Sequence, residues 1–87
     1  MIEEKMKQTI LKNICYTELV YSRINKKLNI NFSKKEIEKF MFEILEKTNI
    51  SFFIKKWKNF YISNTENKIR ITVNSYTYRI ITVDKII

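Results

Sequence analysis

Apolar residues recur through the first third of the chain at steps of three, four or seven: Met6, Ile10, Ile14, Tyr21, Ile24 and Leu28, with Thr17 on the same stripe. This is the period of an α-helix with one face turned to a core, and it predicts a single helix over residues 3–28. A second row, Leu11, Cys15 and Leu19, steps i, i+4, i+8 and lies well around the helix from the first. A two-layer fold has no obvious use for both sides, so this second row is the expected self-association surface of a homodimer.

The next helix announces its own start. Ser33 is placed to cap and Glu36 to answer it from the third helical position, while Phe32 and Ile37 form the flanking hydrophobic pair. Ile37, Phe40, Met41, Ile44 and Leu45 then make a helical stripe, and Asn49 is the expected left-handed terminator of a helix over 34–48. The linker 29–32 is short, which predicts an αα-hairpin.

Beyond Asn49 the chain becomes β-branched and aromatic between polar breaks, the composition of strands. Four are expected, over 50–55, 59–63, 68–73 and 76–83, in an antiparallel meander with turns at 64–67 and at Asn74-Ser75. A two-residue turn at Asn74-Ser75 pairs Val73 with Tyr76, Ile71 with Tyr78 and Ile69 with Ile80. The preceding turn pairs Ile62 with Ile69 and Phe60 with Ile71. One face then carries Phe60, Ile62, Ile69, Ile71, Val73, Tyr78 and Ile80. The other carries Tyr61, Ser63, Lys68, Arg70, Thr72, Thr77, Arg79 and Ile81. The pattern does not set the register of the first strand. The expected fold is α+β: a two-helix hairpin packed on one face of a four-stranded antiparallel sheet, order ααββββ, as a single domain over 1–87.

Composition narrows the chemistry. The chain has no Gly and no Pro, so a glycine-rich phosphate loop or dinucleotide fingerprint cannot be built and any positive-φ turn must use another residue. It has no His and one Cys, which removes the usual general base, an internal disulfide and most zinc ligands. Cys15 sits among apolar neighbours and is expected to be buried or at an interface. Glu18, Glu66 and Asp84 have no spacing that brings a catalytic pair together. No catalytic residue, metal or cofactor is expected. No apolar run of about twenty residues spans a membrane, and the start of the chain is charged and lacks a leader's apolar stretch. A reducing, cytoplasmic setting is expected.

Lys and Arg number 17 against 9 Asp and Glu, a net charge of +8. That balance draws polyanions, so RNA, DNA or a nucleoprotein complex is the expected partner. The competing reading is a homo-oligomeric structural or regulatory protein whose charge merely follows from lysine-rich composition. If the register above holds, Tyr61, Arg70 and Arg79 stand side by side on the open face with Lys68 nearby, a set suited to phosphates and unstacked bases. The same three residues also suit simple cross-strand packing of a ring on arginine stems. Lys55, Lys56 and Lys58 flank Trp57, a basic-aromatic interleaving that suits contact with a polyanion and equally suits a solvated turn with the indole folded back; the solvated turn is the expected reading. Arg23, Lys26 and Lys27 close the first helix, and Lys34 and Lys35 open the next. Cations at a helix C-terminus are stabilising in themselves, whereas those at a helix start oppose its dipole; this singles out Lys34 and Lys35, with Arg23 and Lys27 bracketing the same corner, as a second candidate contact for phosphate or an acidic protein.

The segments ICYTELVYSRINKKLNINFSKKEIE and NKIRITVNSYTYRIITVDKI resemble a family of short bacterial proteins of unknown function, over nearly the whole chain. The resemblance supplies no catalytic residue. In general type the chain is also similar to the small phage-encoded anti-CRISPR proteins, which implies an inhibitor of an RNA-guided nuclease. A basic chain of that kind would engage guide RNA or an acidic surface rather than mimic DNA.

Overall fold

The structure, a computed structural model, describes residues 3–86. Three helices, α1 (Glu4–Asn13), α2 (Glu18–Leu28) and α3 (Lys34–Lys47), precede a 3-10 turn (Ile50–Phe52) and four strands, β1 (Phe53–Lys56), β2 (Asn59–Asn64), β3 (Ile69–Asn74) and β4 (Ile80–Lys85). The strands lie side by side in chain order, each antiparallel to the next.

The single long helix expected over 3–28 is two helices. Ile14, Cys15, Tyr16 and Thr17 are β-branched, sulfur-bearing or aromatic, all weak helix formers, and here the backbone has a better use. The Cys15 amide donates to the Tyr78 carbonyl and the Cys15 carbonyl accepts from the Ile80 amide, both at 3.0 Å, so the break adds a short parallel bridge at the edge of the sheet. Restarting the helix at Glu18 changes its phase. Val20, Ile24 and Leu28 become its buried row, Tyr21 is half-buried, and Leu19 points outward with 74% of its surface exposed. Leu11 is in the core while Cys15 is exposed, so Leu11, Cys15 and Leu19 form no continuous surface and the expected dimer row is lost.

α3 begins as its sequence specifies. Ser33 Oγ accepts from the Glu36 amide at 3.2 Å and Glu36 Oε1 accepts from the Ser33 amide at 2.8 Å. These bonds, the backbone one first, hold the Glu36 carboxyl below the usual glutamate range. Its far end differs from expectation. Asn49 keeps an ordinary φ of −65° and caps the 3-10 turn instead, while Asn29 takes the left-handed conformation, φ 55°, after α2. The closing carbonyls of α3 are taken by a side chain from another helix. Lys7, on α1 and 8% exposed, donates from Nζ to the Glu46 and Thr48 carbonyls, each at 2.7 Å. Thr48 Oγ1 in turn accepts from Asn64 Nδ2 at 2.9 Å, and Asn64 Oδ1 accepts from the Asn67 amide. One buried polar chain thus ties α1, α3 and the β2–β3 turn together. Lys7→Met keeps the apolar stem but strands the buried Thr48 carbonyl, and is expected to cost about 2 kcal/mol. Urea unfolding should show a lower midpoint at unchanged slope.

β2 and β3 keep the expected alternation with a shifted register, whereas Lys68 lies in the β2–β3 turn and Thr77, Tyr78 and Arg79, expected on the strand faces, lie in the β3–β4 loop. Phe60 pairs with Val73, Ile62 with Ile71 and Asn64 with Ile69, two residues from the expected pairing. Between β3 and β4, Val73 pairs with Ile80, Ile71 with Val83 and Ile69 with Lys85, with Ile81 left over at a bulge. The two-residue turn at Asn74-Ser75 is in fact a five-residue loop, 75–79. Asn74 Oδ1 accepts from the Tyr76 and Thr77 amides, and Tyr78 adopts φ 61°. The β2–β3 slip is even-numbered, so Phe60, Ile62, Ile69, Ile71 and Val73 remain on the buried side. Ile80 stays with them because the loop and bulge re-phase β4. They join Ile10, Val20, Ile24, Ile37, Met41 and Leu45 from all three helices in one core. The expected hairpin of two helices is replaced by three helices contributing to that core.

Candidate nucleic-acid interface

The β1 register, which the sequence left open, decides the site. Phe53 pairs with Ile62 and is buried, so Ile54, opposite Tyr61, and Lys56, opposite Asn59, belong to the open face. On the other side of β2, Tyr61 pairs with Thr72 and Ser63 with Arg70. Tyr61 and Arg70 are therefore diagonal neighbours, at roughly 7–8 Å by ordinary sheet geometry. Ile54, Lys56, Trp57, Tyr61, Ser63 and Arg70 line a shallow groove of about 590 Å³ that contains two cations and no carboxylate.

Trp57 forms the groove's end wall. It is the first residue of the two-residue turn Trp57-Lys58, at φ 60°. This is a position that mirror-type hairpin turns give to glycine because a Cβ is penalised there by about 1–2 kcal/mol. The indole is not folded back as expected but stands 87% exposed. The turn beneath it is anchored: the Lys58 carbonyl accepts from both the Ser75 amide and Ser75 Oγ, each at 2.8 Å. The ring is thus presented from a fixed backbone beside Ile54, itself 59% exposed.

The other sequence-selected residues are dispersed. Arg70 is exposed and makes no ion pair among the described residues. Arg79 is not beside it. It lies in the β3–β4 loop, its carbonyl bonded to the Asn74 amide four residues along β3, roughly 13 Å away at the usual rise per residue. Lys68 sits in the β2–β3 turn at φ 55° and faces a different cavity. Thr72, expected on the open face, is buried between its partners Tyr61 and Thr82.

The helical corner proves largely occupied with its own structure. Arg23 Nη1 donates to the Ile81 carbonyl at 3.0 Å, Lys27 pairs with Asp84 at 3.0 Å, and Lys34 pairs with Glu18 while lying over the Tyr21 ring. Tyr21 stacks on Tyr16 and donates to Glu38 at 2.6 Å; burial and that bond push its pKa up to about 12. Lys35 is exposed. Of the groove residues, Ile54 carries no sequence signal and Ser63 only its place on the open face, while Lys56 and Trp57 carry a basic-aromatic signal that the expectation of a solvated turn set aside. The available signal was Lys-Lys-Trp-Lys between two strands in a chain with no glycine for the turn.

The fold and groove define a small α+β domain with an open sheet face that is aromatic and basic at one end. The chain belongs to the family described as "Protein of unknown function (DUF3781)", whose profile covers residues 8–84. No curated protein and no solved structure matches the chain. No helix among the described residues is long and apolar enough to cross a membrane.

Proposed function

We propose that this chain is a non-catalytic module that binds single-stranded nucleic acid, RNA foremost, on the open face of its sheet. The observation that carries the reading is Trp57, held exposed at a costly positive φ over a groove shared with Tyr61, Lys56 and Arg70. Strained backbone persists where the surrounding structure enforces it, and such positions cluster at functional sites. Exposed rings accept unpaired bases of any sequence, and unpaired cations beside them take the phosphates between successive bases. Of the acids weighed for catalysis, Glu18 pairs with Lys34 and Asp84 with Lys27. An inhibitor that engages the guide RNA of an RNA-guided nuclease is the narrower form of this proposal. It rests on the size and charge the chain shares in type with anti-CRISPR proteins.

Trp57 is the only tryptophan in the chain, so its fluorescence reports the groove directly. Titration with single-stranded oligouridylate is expected to quench it saturably, with affinity falling as salt rises. Arg70→Ala should weaken binding and flatten the salt dependence by about one phosphate contact. Unchanged emission at saturating RNA sinks the sheet-face site.

A further inference from the structure

A second cavity, of about 480 Å³, is walled by Leu28, Phe40, Ile69 and Ile86 and carries Lys68 and Lys85 at its mouth. It shares no residue with the Trp57 groove, and its wall is the outer layer of the core. Leu28 and Ile69 belong to the main buried cluster yet keep 7% and 6% of their surfaces open. The mouth is cationic. Lys85 pairs in register with Ile69, next to Lys68, and the Lys68 carbonyl accepts from the Ile86 amide at 2.9 Å, which fixes the two lysine backbones relative to each other. Neither lysine has a carboxylate partner among the described residues. Lys68 is also held at φ 55°, where any Cβ is penalised. Lys68 shares this left-handed backbone with Asn29, the residue that ends α2, but carries a long cation there.

The geometry points to a binding site for a small amphipathic carboxylate, its apolar body against Leu28, Phe40 and Ile69 and its head group at the Lys68 and Lys85 mouth. The volume lies within the roughly 300–1,000 Å³ that small-molecule sites occupy, and an apolar wall with a few polar groups at one end is their usual construction. Two lysines act as compact point charges on a single anionic head. A neutral molecule of the same shape gains the wall and not the mouth.

The test uses the full chain, with octanoate and octanol as matched probes followed by amide chemical shifts. Octanoate is expected to saturate at one equivalent, with the largest shifts at residues of this cavity, and octanol to bind at least tenfold more weakly. Lys68→Asn, which tolerates the left-handed turn, combined with Lys85→Gln should lose at least tenfold in octanoate affinity and leave octanol binding unchanged. If that pair lowers the melting temperature, Lys85→Gln alone, an exposed change, is expected to weaken octanoate in the same direction. A Trp57→Gly chain should bind octanoate undiminished, which separates this site from the nucleic-acid groove. Equal affinity for octanol and octanoate, undiminished octanoate binding in the lysine variants, or no saturable shift at the cavity would each overturn the assignment.

Discussion

Trp57→Gly is expected to raise the melting temperature and to weaken RNA binding in the same molecule. Glycine relieves a Cβ held at φ 60°, a gain of about 1 kcal/mol that corresponds to roughly 4–8 °C for a domain of this size. The ring surrenders little burial, because it is 87% exposed in the parent. Losing a stacking platform, by contrast, costs binding about 1–3 kcal/mol, or roughly 5- to 150-fold in affinity. Anisotropy of a labelled single-stranded RNA, read beside a thermal melt, measures both. Trp57→Phe should retain most of the affinity while keeping the strain. A more stable glycine variant that binds as tightly as the parent would mean that the strain serves no contact, and the proposed face would be wrong. A less stable one would show that the indole packs, and the argument from exposure would fail.

Leu11→Glu is expected to unfold the protein, and Leu19→Glu to leave it nearly unchanged. Both residues fall on one helical row in the sequence, so a single long helix would make them equivalent members of a dimer face. In the structure Leu11 is 8% exposed and packed in the core, whereas Leu19 is 74% exposed on α2. Burying an unpaired carboxylate at position 11 costs several kcal/mol, set against a total stability of roughly 4–13 kcal/mol for a chain this long. Circular dichroism should show lost cooperative melting for the first variant and a transition close to the parent's for the second. Equal, mild effects with a halved mass in solution would restore the continuous apolar row and the dimer that goes with it.

Much of the fold lay in local signals. The capping box at Ser33 and Glu36 was legible because it depends on two side chains three residues apart. The meander was legible because short polar breaks leave adjacent strands little choice but to pair. The inward set from Phe60 to Val73 survived a wrong β2–β3 pairing because side chains alternate with a period of two and the error was even-numbered. The helix break at 14–17 was not legible, since its stabilisation comes from Cys15 bonding to Tyr78 and Ile80, more than sixty residues away. The same holds for the C-terminus of α3, where an ammonium from α1 replaces the expected asparagine.

The candidate site divides along that line. The sequence by itself determined that the chain is basic and α+β, without histidine or glycine, and that Tyr61 and Arg70 face away from the core, because composition and strand alternation are properties of neighbouring residues. Only the tertiary structure decided that Arg79 lies far from Arg70 and that Trp57 is exposed and joins Tyr61. Loop length and hairpin register depend on bonds such as those from Asn74 and Ser75. No pattern of hydrophobic and polar positions encodes which backbone groups such side chains will reach.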